Sequence, residues 1–433
     1  MKYLLFFTLL LSTQLFASFS ASIVDKSTSV PIKNVLISDS NSSVKSDANG
    51  LFKIDTNETT LHVKACGYKP YAIDTNNTKA VIELEPFTVK ALYLSFWNAS
   101  NKSKKLKELL KIIDNSDVNT IIVDVKNEYG SVSFLTSLKE LKKYGAHKDR
   151  TNRNIQKFIH TMHSKNIYVI ARIVTFKDEL QASNNEDYAI KKTDGSIWRN
   201  HDDMAWVDPF DERSHEYTIK IAEEAAKVGF DEINFDYIRF PAKEGLKLAK
   251  ENTQKNRIEA ISTFLSSAQK ALRKYGVFIS VDTYGNICWS DDDTGIGQTI
   301  ESLSLHVDYL APMLYPSGFA SGSFGFEHPS EYPYDVIYRS VKNMEKKIDL
   351  IRVRPWLQYF RDYSKPKKKY KKHEINEQIR GSSDNNTSGW MMWSPSSKYH
   401  LEYFINEEKN TTIQSSMTIE NNSSEGNATL KHQ

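Results

Sequence analysis

The chain has 433 residues, 39% of them apolar and 12% aromatic, with a formal charge of +3. That supplies core for two or three packed units, and the near-balanced charge argues against a nucleic-acid surface. The two cysteines, Cys66 and Cys288, read as isolated thiols in different domains; no Cys/His spacing suggests zinc, so neither a metal nor another cofactor is expected.

The N-terminus, MKYLLFFTLLLSTQLFASFS, has one Lys before an apolar run of about a dozen residues, then small residues between Ala17 and Ala21. That is the layout of a secretory signal peptide over residues 1–20, too short for a membrane span of roughly 20 residues. No Cys stands at the junction for lipid attachment, and no later stretch is long enough to be transmembrane. A periplasmic or secreted protein is expected.

Residues 21–87 read as a small all-β sandwich. The short apolar stretches SASIV, NVLIS, GLFKI, TLHVKA and AVIELEP alternate with turn signals such as Asp47-Ala48-Asn49-Gly50 and Cys66-Gly67-Tyr68. The spacing of Pro31-Ile32-x-x-Val35, Ser46-Asp47-x-x-Gly50-x-Phe52 and Gly67-Tyr68 resembles the carboxypeptidase regulatory-like domain. That resemblance implies a transthyretin-like fold with a spacer or binding role, and so a candidate contact for a cell-envelope partner.

From residue 89 the pattern becomes strand, helix, strand, helix. Strands are predicted at 91–97, 120–127, 167–176, 232–240, 277–285, 307–316, 350–360 and 389–395. Helices are predicted at 102–116, where Leu106, Leu109, Leu110 and Ile113 share a face, and at 152–166, 214–229 and 256–276. Eight such repeats over 89–405 predict an α/β fold, a (β/α)₈ TIM barrel. A doubly wound open sheet would want a Gly-rich phosphate turn after its first strand, where this chain has Trp97-Asn98-Ala99-Ser100. The basic run KPKKKYKK at 365–372 reads as a solvated loop and helix start, and the Asn/Ser/Thr/Glu-rich tail 407–433 as disordered.

Barrels place their chemistry at the C-terminal ends of the strands. The most informative of these is FDEINFDYIRFP, 230–241, in which Glu232, Asn234 and Asp236 alternate with Ile233, Phe235 and Tyr237. An isolated buried carboxylate costs several kcal/mol, so the charged row needs partners. Arg239 follows, and Pro241 is expected to stop the ladder. Strand 2 offers Asp124, Lys126 and Glu128 on one face by period two, and strand 3 offers Arg172. The later strands add Asp282, Tyr284, Tyr315, Trp356, Gln358 and Trp393. Two carboxylates on neighbouring strands, Asp236 and Asp282, suit glycoside hydrolysis, with one acid as proton donor and the other as nucleophile or base. Lys126, Arg172 and Arg239 are candidates to hold one of them ionised, and aromatic faces including Trp206 suit sugar rings. The long loop 177–213 is expected to fold over the mouth; His201, Asp202, Asp203 and Asp208 within it match no familiar metal-ligand spacing.

The stretches Ala91-Leu-Tyr-Leu, Ile122-Val-Asp124-Val-Lys126, Asp208-Pro209, Phe235-Asp-Tyr-Ile-Arg-Phe-Pro241, Ser280-Val-Asp282-Thr-Tyr-Gly285, Pro312-Met-x-Tyr-Pro316 and Arg354-Pro-Trp-Leu-Gln358 together resemble the putative glycoside hydrolase domain family, TIM barrels distantly similar to the α-amylase-type hydrolases. The resemblance spans roughly 89–405. It implies that Asp236 is the nucleophile and Asp282 the proton donor, although the amylases carry Glu on strand 5; Glu128 or Asp124 could serve instead. The substrate is then an oligo- or polysaccharide, its sugar unnamed. Two other readings stay open: a catalytically inactive barrel that binds glycan or peptidoglycan, and an envelope assembly factor.

Eleven Asn-x-Ser/Thr sites occur, and seven have Asp or Glu two residues earlier: Asn41, Asn57, Asn76, Asn386, Asn410, Asn422 and Asn427. Random placement would give one or two. An acid at that position resembles the acceptor pattern of a bacterial N-glycosylation enzyme, so the exported protein is expected to carry N-glycans.

Overall fold

A computed structural model describes residues 17–77 and 79–405. Most of the expected leader, the tail 407–433, and Asn410, Asn422 and Asn427 lie outside the described residues. The chain divides into two compact units, Met1–Pro86 and Phe87–Gln433.

The first unit is built from β1 (Ala17–Asp25), β2 (Leu36–Ser38), β3 (Ser43–Lys45), β4 (Leu51–Thr56), β5 (Thr60–Lys64), β6 (Tyr71–Asp74) and β7 (Val81–Leu84). They form two sheets, ordered β4-β1-β7 and β3-β2-β5-β6. In β4 burial alternates strictly, with Phe52, Ile54 and Thr56 turned inward. Phe52 and Ile54 join Ile23, Val35, Ile37, Leu61 and Val63 in one core, as a sandwich requires. Strand β1 begins inside the window expected for leader cleavage, and its first residues already pair with β4.

The second unit is a closed parallel barrel. Its strands are β8 (Val89–Leu94), β9 (Thr120–Lys126), β10 (Tyr168–Val174), β11 (Glu232–Asp236), β12 (Phe278–Tyr284), β13 (Tyr309–Met313), β14 (Trp356–Gln358) and β15 (Gly389–Trp393), closing through β8 and β9. Around them lie α1 (Lys104–Asp114), α2 (Lys139–Lys143), α3 (Ile155–Ser164), α4 (Glu179–Asn184), α5 (Arg213–Lys227), α6 (Gln254–Leu272), α7 (Ile300–Ser304), α8 (Pro333–Met344) and α9 (Lys372–Ser383). All eight predicted strands and four predicted long helices are present. Three of the long helices start at side-chain caps: Ser103, Asn154 and Thr253 each accept a hydrogen bond from a first-turn N–H of α1, α3 and α6. Leu106, Leu109 and Ile112 bury the inner face of α1.

The seam closes through Gly389 at φ +113°, where a Cβ would stand 1.8 Å from the Val89 carbonyl oxygen. Only glycine lets β15 approach β8 there. Among the described residues, no helix is long and apolar enough to cross a membrane.

Two strands end differently from their sequence pattern. The fourth barrel strand stops at Asp236, not near Pro241, because Tyr237 turns left-handed at φ 48°. The seventh is only Trp356–Gln358. A 3₁₀ turn (Leu350–Arg352) and Pro355, which has no N–H to give the ladder, take up the first half of the predicted stretch.

Inside the barrel the buried Glu232 is paired, as its position demands. Arg354 donates to both its carboxylate oxygens at 3.0 and 2.9 Å, and the Tyr168 hydroxyl donates to one at 3.1 Å. The Arg354 guanidinium also lies 3.9 Å from the Tyr309 ring centroid.

Candidate active site

The strand ends open into a cleft of about 380 Å³. Asp236, from the last residue of β11, and Asp282, from β12, both line it, with Glu128, Arg172, Tyr237, Arg239, Tyr284, Asn286, Tyr315, Phe319, Trp356, Tyr363 and Trp393. Tyr284 and Tyr363 are the open aromatic faces, 47% and 63% exposed.

Arg172 organises the acids. It is buried, and its Nη1 donates to Asp124 Oδ1 at 2.7 Å, its Nε to Asp236 Oδ2 at 3.0 Å and its Nη2 to Glu128 Oε1 at 3.3 Å. Nη2 also donates to Asp236 Oδ2, giving a two-pronged contact on one oxygen. Asp282 Oδ2 stands 3.9 Å from the same Nε. One guanidinium thus faces four carboxyl groups. Full ionisation would leave a net charge of −3 on this set, buried but for the part-exposed Glu128, so low dielectric and mutual repulsion favour protons on some of them.

The directions follow local surroundings. Burial and the neighbouring Asp236 charge push Asp282 well above the usual carboxylate range, against the pull of Arg172, Trp356 and Asn234. Asp282 Oδ1 accepts from Trp356 Nε1 at 2.6 Å and from Asn234 Nδ2 at 2.9 Å, which leaves Oδ2 as the oxygen to carry a proton. Burial also raises Asp124, whose Oδ2 accepts from the Tyr93 hydroxyl at 2.5 Å. For Glu128, burial is the largest influence and acts upward, but the Arg172 charge, a backbone hydrogen bond and the Lys177 charge together outweigh it, so its carboxyl lies below the usual range.

The other candidates divide. Arg172, Glu128, Arg239, Tyr284, Tyr315, Trp356 and Trp393 join the two aspartates in the cleft. Asp124 lies behind it, holding Arg172. Lys126 does not share a face with Asp124: the register slips between Arg172 and Ile173, so that Lys126 sits opposite Ile173. Its amino group pairs with Asp178 at 2.8 Å and donates to the Val174 carbonyl at 2.6 Å, away from the cleft. Gln358 is buried, accepting from the Ser317 hydroxyl at 2.6 Å, and lines none of the cleft. Trp206 is a buried support beneath Arg239. The loop 177–213 that carries it contributes no cleft-lining residue. Asp208 in that loop serves the backbone, accepting from Phe210 N and Ala249 N.

Sequence reasoning missed Tyr93, Tyr237, Asn286, Phe319 and Tyr363. Tyr93 was detectable by alternation along the first strand. Its ring stacks on Trp393 at 4.0 Å, and Trp393 in turn faces the Arg172 guanidinium at 5.1 Å.

Residues 91–399 match the family described as "Putative glycosyl hydrolase domain". The chain belongs to that family. Among solved structures, the PgaB (BpsB) glycoside hydrolase domain from Bordetella bronchiseptica shares the barrel at TM-score 0.51 and 12% identity, over 72% of this chain and 95% of that one. A hypothetical protein from Ruminiclostridium thermocellum is 34% identical over 44% of this chain and 96% of its own, at TM-score 0.39. The C-terminal domain of a putative chitinase from Desulfitobacterium hafniense aligns at TM-score 0.47 and 11% identity, over 73% and 96%. No curated protein matches the chain.

Proposed function

We propose that the barrel is a glycoside hydrolase that cleaves an oligo- or polysaccharide with Asp236 as nucleophile and Asp282 as proton donor. The observation that carries this is the pairing of two carboxyl groups of opposite character in one aromatic cleft. Asp236 is the ion-paired member, fixed by Arg172 through Oδ2. Its Oδ1 accepts a hydrogen bond from Tyr237 N at 2.6 Å, with lone-pair capacity left for an anomeric carbon. Asp282, pushed up, holds the proton that the leaving oxygen needs.

Spacing favours retention of configuration. The Oδ2 atoms of Asp236 and Asp282 lie 3.0 and 3.9 Å from one nitrogen, so they are no more than the sum, 6.9 Å, apart. Inverting enzymes hold their carboxyl groups about 6.5–9.5 Å apart, retaining ones about 5–5.5 Å. The bound leaves out most of the first range and admits the second. In the first step Asp236 forms a bond to the anomeric carbon while the Asp282 proton passes to the departing oxygen. In the second, Asp282 takes a proton from water as that water displaces Asp236.

The enclosed position of Asp282, 2% exposed, favours a second reading, a silent barrel that binds glycan. Asp236→Asn separates the two. Turnover of envelope or storage glycans by the parent, abolished in the variant with binding kept, supports the hydrolase. Binding without turnover by the parent refutes it. Proton NMR of the first-formed anomer tests retention.

Export and glycosylation remain proposals of the same reading. Asn41, Asn57, Asn76 and Asn386 are all exposed, as acceptor sites must be. The sandwich is proposed as the contact for a cell-envelope partner.

A further inference from the structure

The cleft holds a cation with no acid to match it. Arg239 lines the cleft just beyond β11. Its guanidinium carbon lies 5.2 Å from the Trp206 ring centroid, 5.2 Å from that of Tyr237 and 5.6 Å from that of Tyr284. Among the described residues its one hydrogen bond runs from Nη1 to the Phe240 carbonyl at 3.1 Å, and it makes no ion pair. The acids of the same cleft are already engaged: Asp236 and Glu128 by Arg172, Asp282 by Trp356 and Asn234.

Rings hold a guanidinium by its faces, through the quadrupole of the π-system. They fix its position without neutralising it, and they leave its in-plane N–H groups free. A guanidinium has five such donors, arranged to match an oxyanion in a two-pronged contact. The backbone supports the arrangement at a cost. Tyr237 holds φ 48°, a left-handed conformation that is strained for a non-glycine residue, and it presents both the Asp236 contact and one ring of the cage.

We infer that Arg239 is a specificity-determining residue that receives a negatively charged sugar substituent, a carboxylate or a sulfate ester, so that the substrate is an anionic glycan. This rests on the hydrolase reading for its link to turnover, but the recognition of charge stands on Arg239 alone.

The test compares p-nitrophenyl glucuronides, galacturonides and 6-sulfated glucosides with the matching glucosides and galactosides, in both anomers, for the parent and Arg239→Gln. The charged member of a pair should lead in kcat/KM by about tenfold or more in the parent, and the ratio should collapse in the variant. Uronides and sulfates distinguish the two anions. Inorganic sulfate should compete with the charged substrates in the parent and more weakly in the variant. Preference for neutral sugars, or a charge preference unchanged in Arg239→Gln, overturns the inference. Should neither these glycosides nor any glycan turn over, the hydrolase reading fails; whenever the aryl glycosides are inert, calorimetric binding of acidic against neutral oligosaccharides decides. A preference for acidic oligosaccharides, lost in the variant, upholds the Arg239 assignment. Equal binding of both kinds, or binding of neither, overturns it.

Discussion

Asp282→Asn is the substitution that bears most directly on the chemistry. The side chain is nearly isosteric. Its carbonyl oxygen can still accept from Trp356 Nε1 and Asn234 Nδ2, now 2.6 and 2.9 Å from Asp282 Oδ1. Its amide NH₂ replaces the protonated Oδ2, so the fold should survive. Activity should not, because an amide cannot release a proton to a leaving oxygen. General acid catalysis contributes typically 10²–10⁴-fold, about 2.7–5.4 kcal/mol of barrier. That loss should appear in full with a sugar or alkyl leaving group and largely vanish with an activated aryl one, which departs without protonation. Stability supplies an independent sign. Asp282 lies well above its ordinary value in the folded protein, so between about pH 4 and its folded pKa the native state binds more protons than the unfolded chain. The parent's stability is therefore greatest at the acid end and falls as pH rises through that window, by up to about 1.4 kcal/mol per unit from this group. The Asn variant lacks the effect. Its stability relative to the parent should rise between pH 5 and 7 in denaturant unfolding. Equal losses on both kinds of leaving group, or a stability difference of the opposite slope, would refute the assignment of the proton to Asp282.

Removing the hub should be far more damaging to the fold. Arg172→Met leaves Asp124 and Asp236 buried without their cation, and breaking a buried pair costs about 3–5 kcal/mol. Part of that should return when Asp124→Asn is added, as a double-mutant cycle in urea would detect. If the proposed export and glycosylation hold, the protein purified from its native source should start between residues 18 and 22 and be heavier than its processed polypeptide by the mass of attached glycans. An intact mass equal to the polypeptide would rule the glycans out.

The barrel was legible because its cause is repetitive. Eight apolar runs separated by capped, amphipathic segments leave little freedom once the strands are known to be parallel, and the alternation of Glu232, Asn234 and Asp236 placed all three inside it. The charged centre of the site followed from the same rule, since Arg172, Asp236 and Asp282 each fall toward the expected end of an expected strand.

Periodicity failed where the backbone left its period. At the slip between Arg172 and Ile173, one extra residue in β9 turns Lys126 from the barrel interior toward Asp178, while Asp124, two positions earlier, still holds Arg172. A bulge of this kind re-aims side chains without any special residue to announce it. The consequence is chemical as well as geometric. With Lys126 inside, the acid cluster would contain two cations and need fewer protons. With Lys126 paired to Asp178 outside it, Arg172 is the cation that touches Asp124, Glu128, Asp236 and Asp282, and a proton on Asp282 relieves the charge that remains. The proton that the proposed mechanism assigns to Asp282 is thus tied to a one-residue irregularity in β9, three strands away.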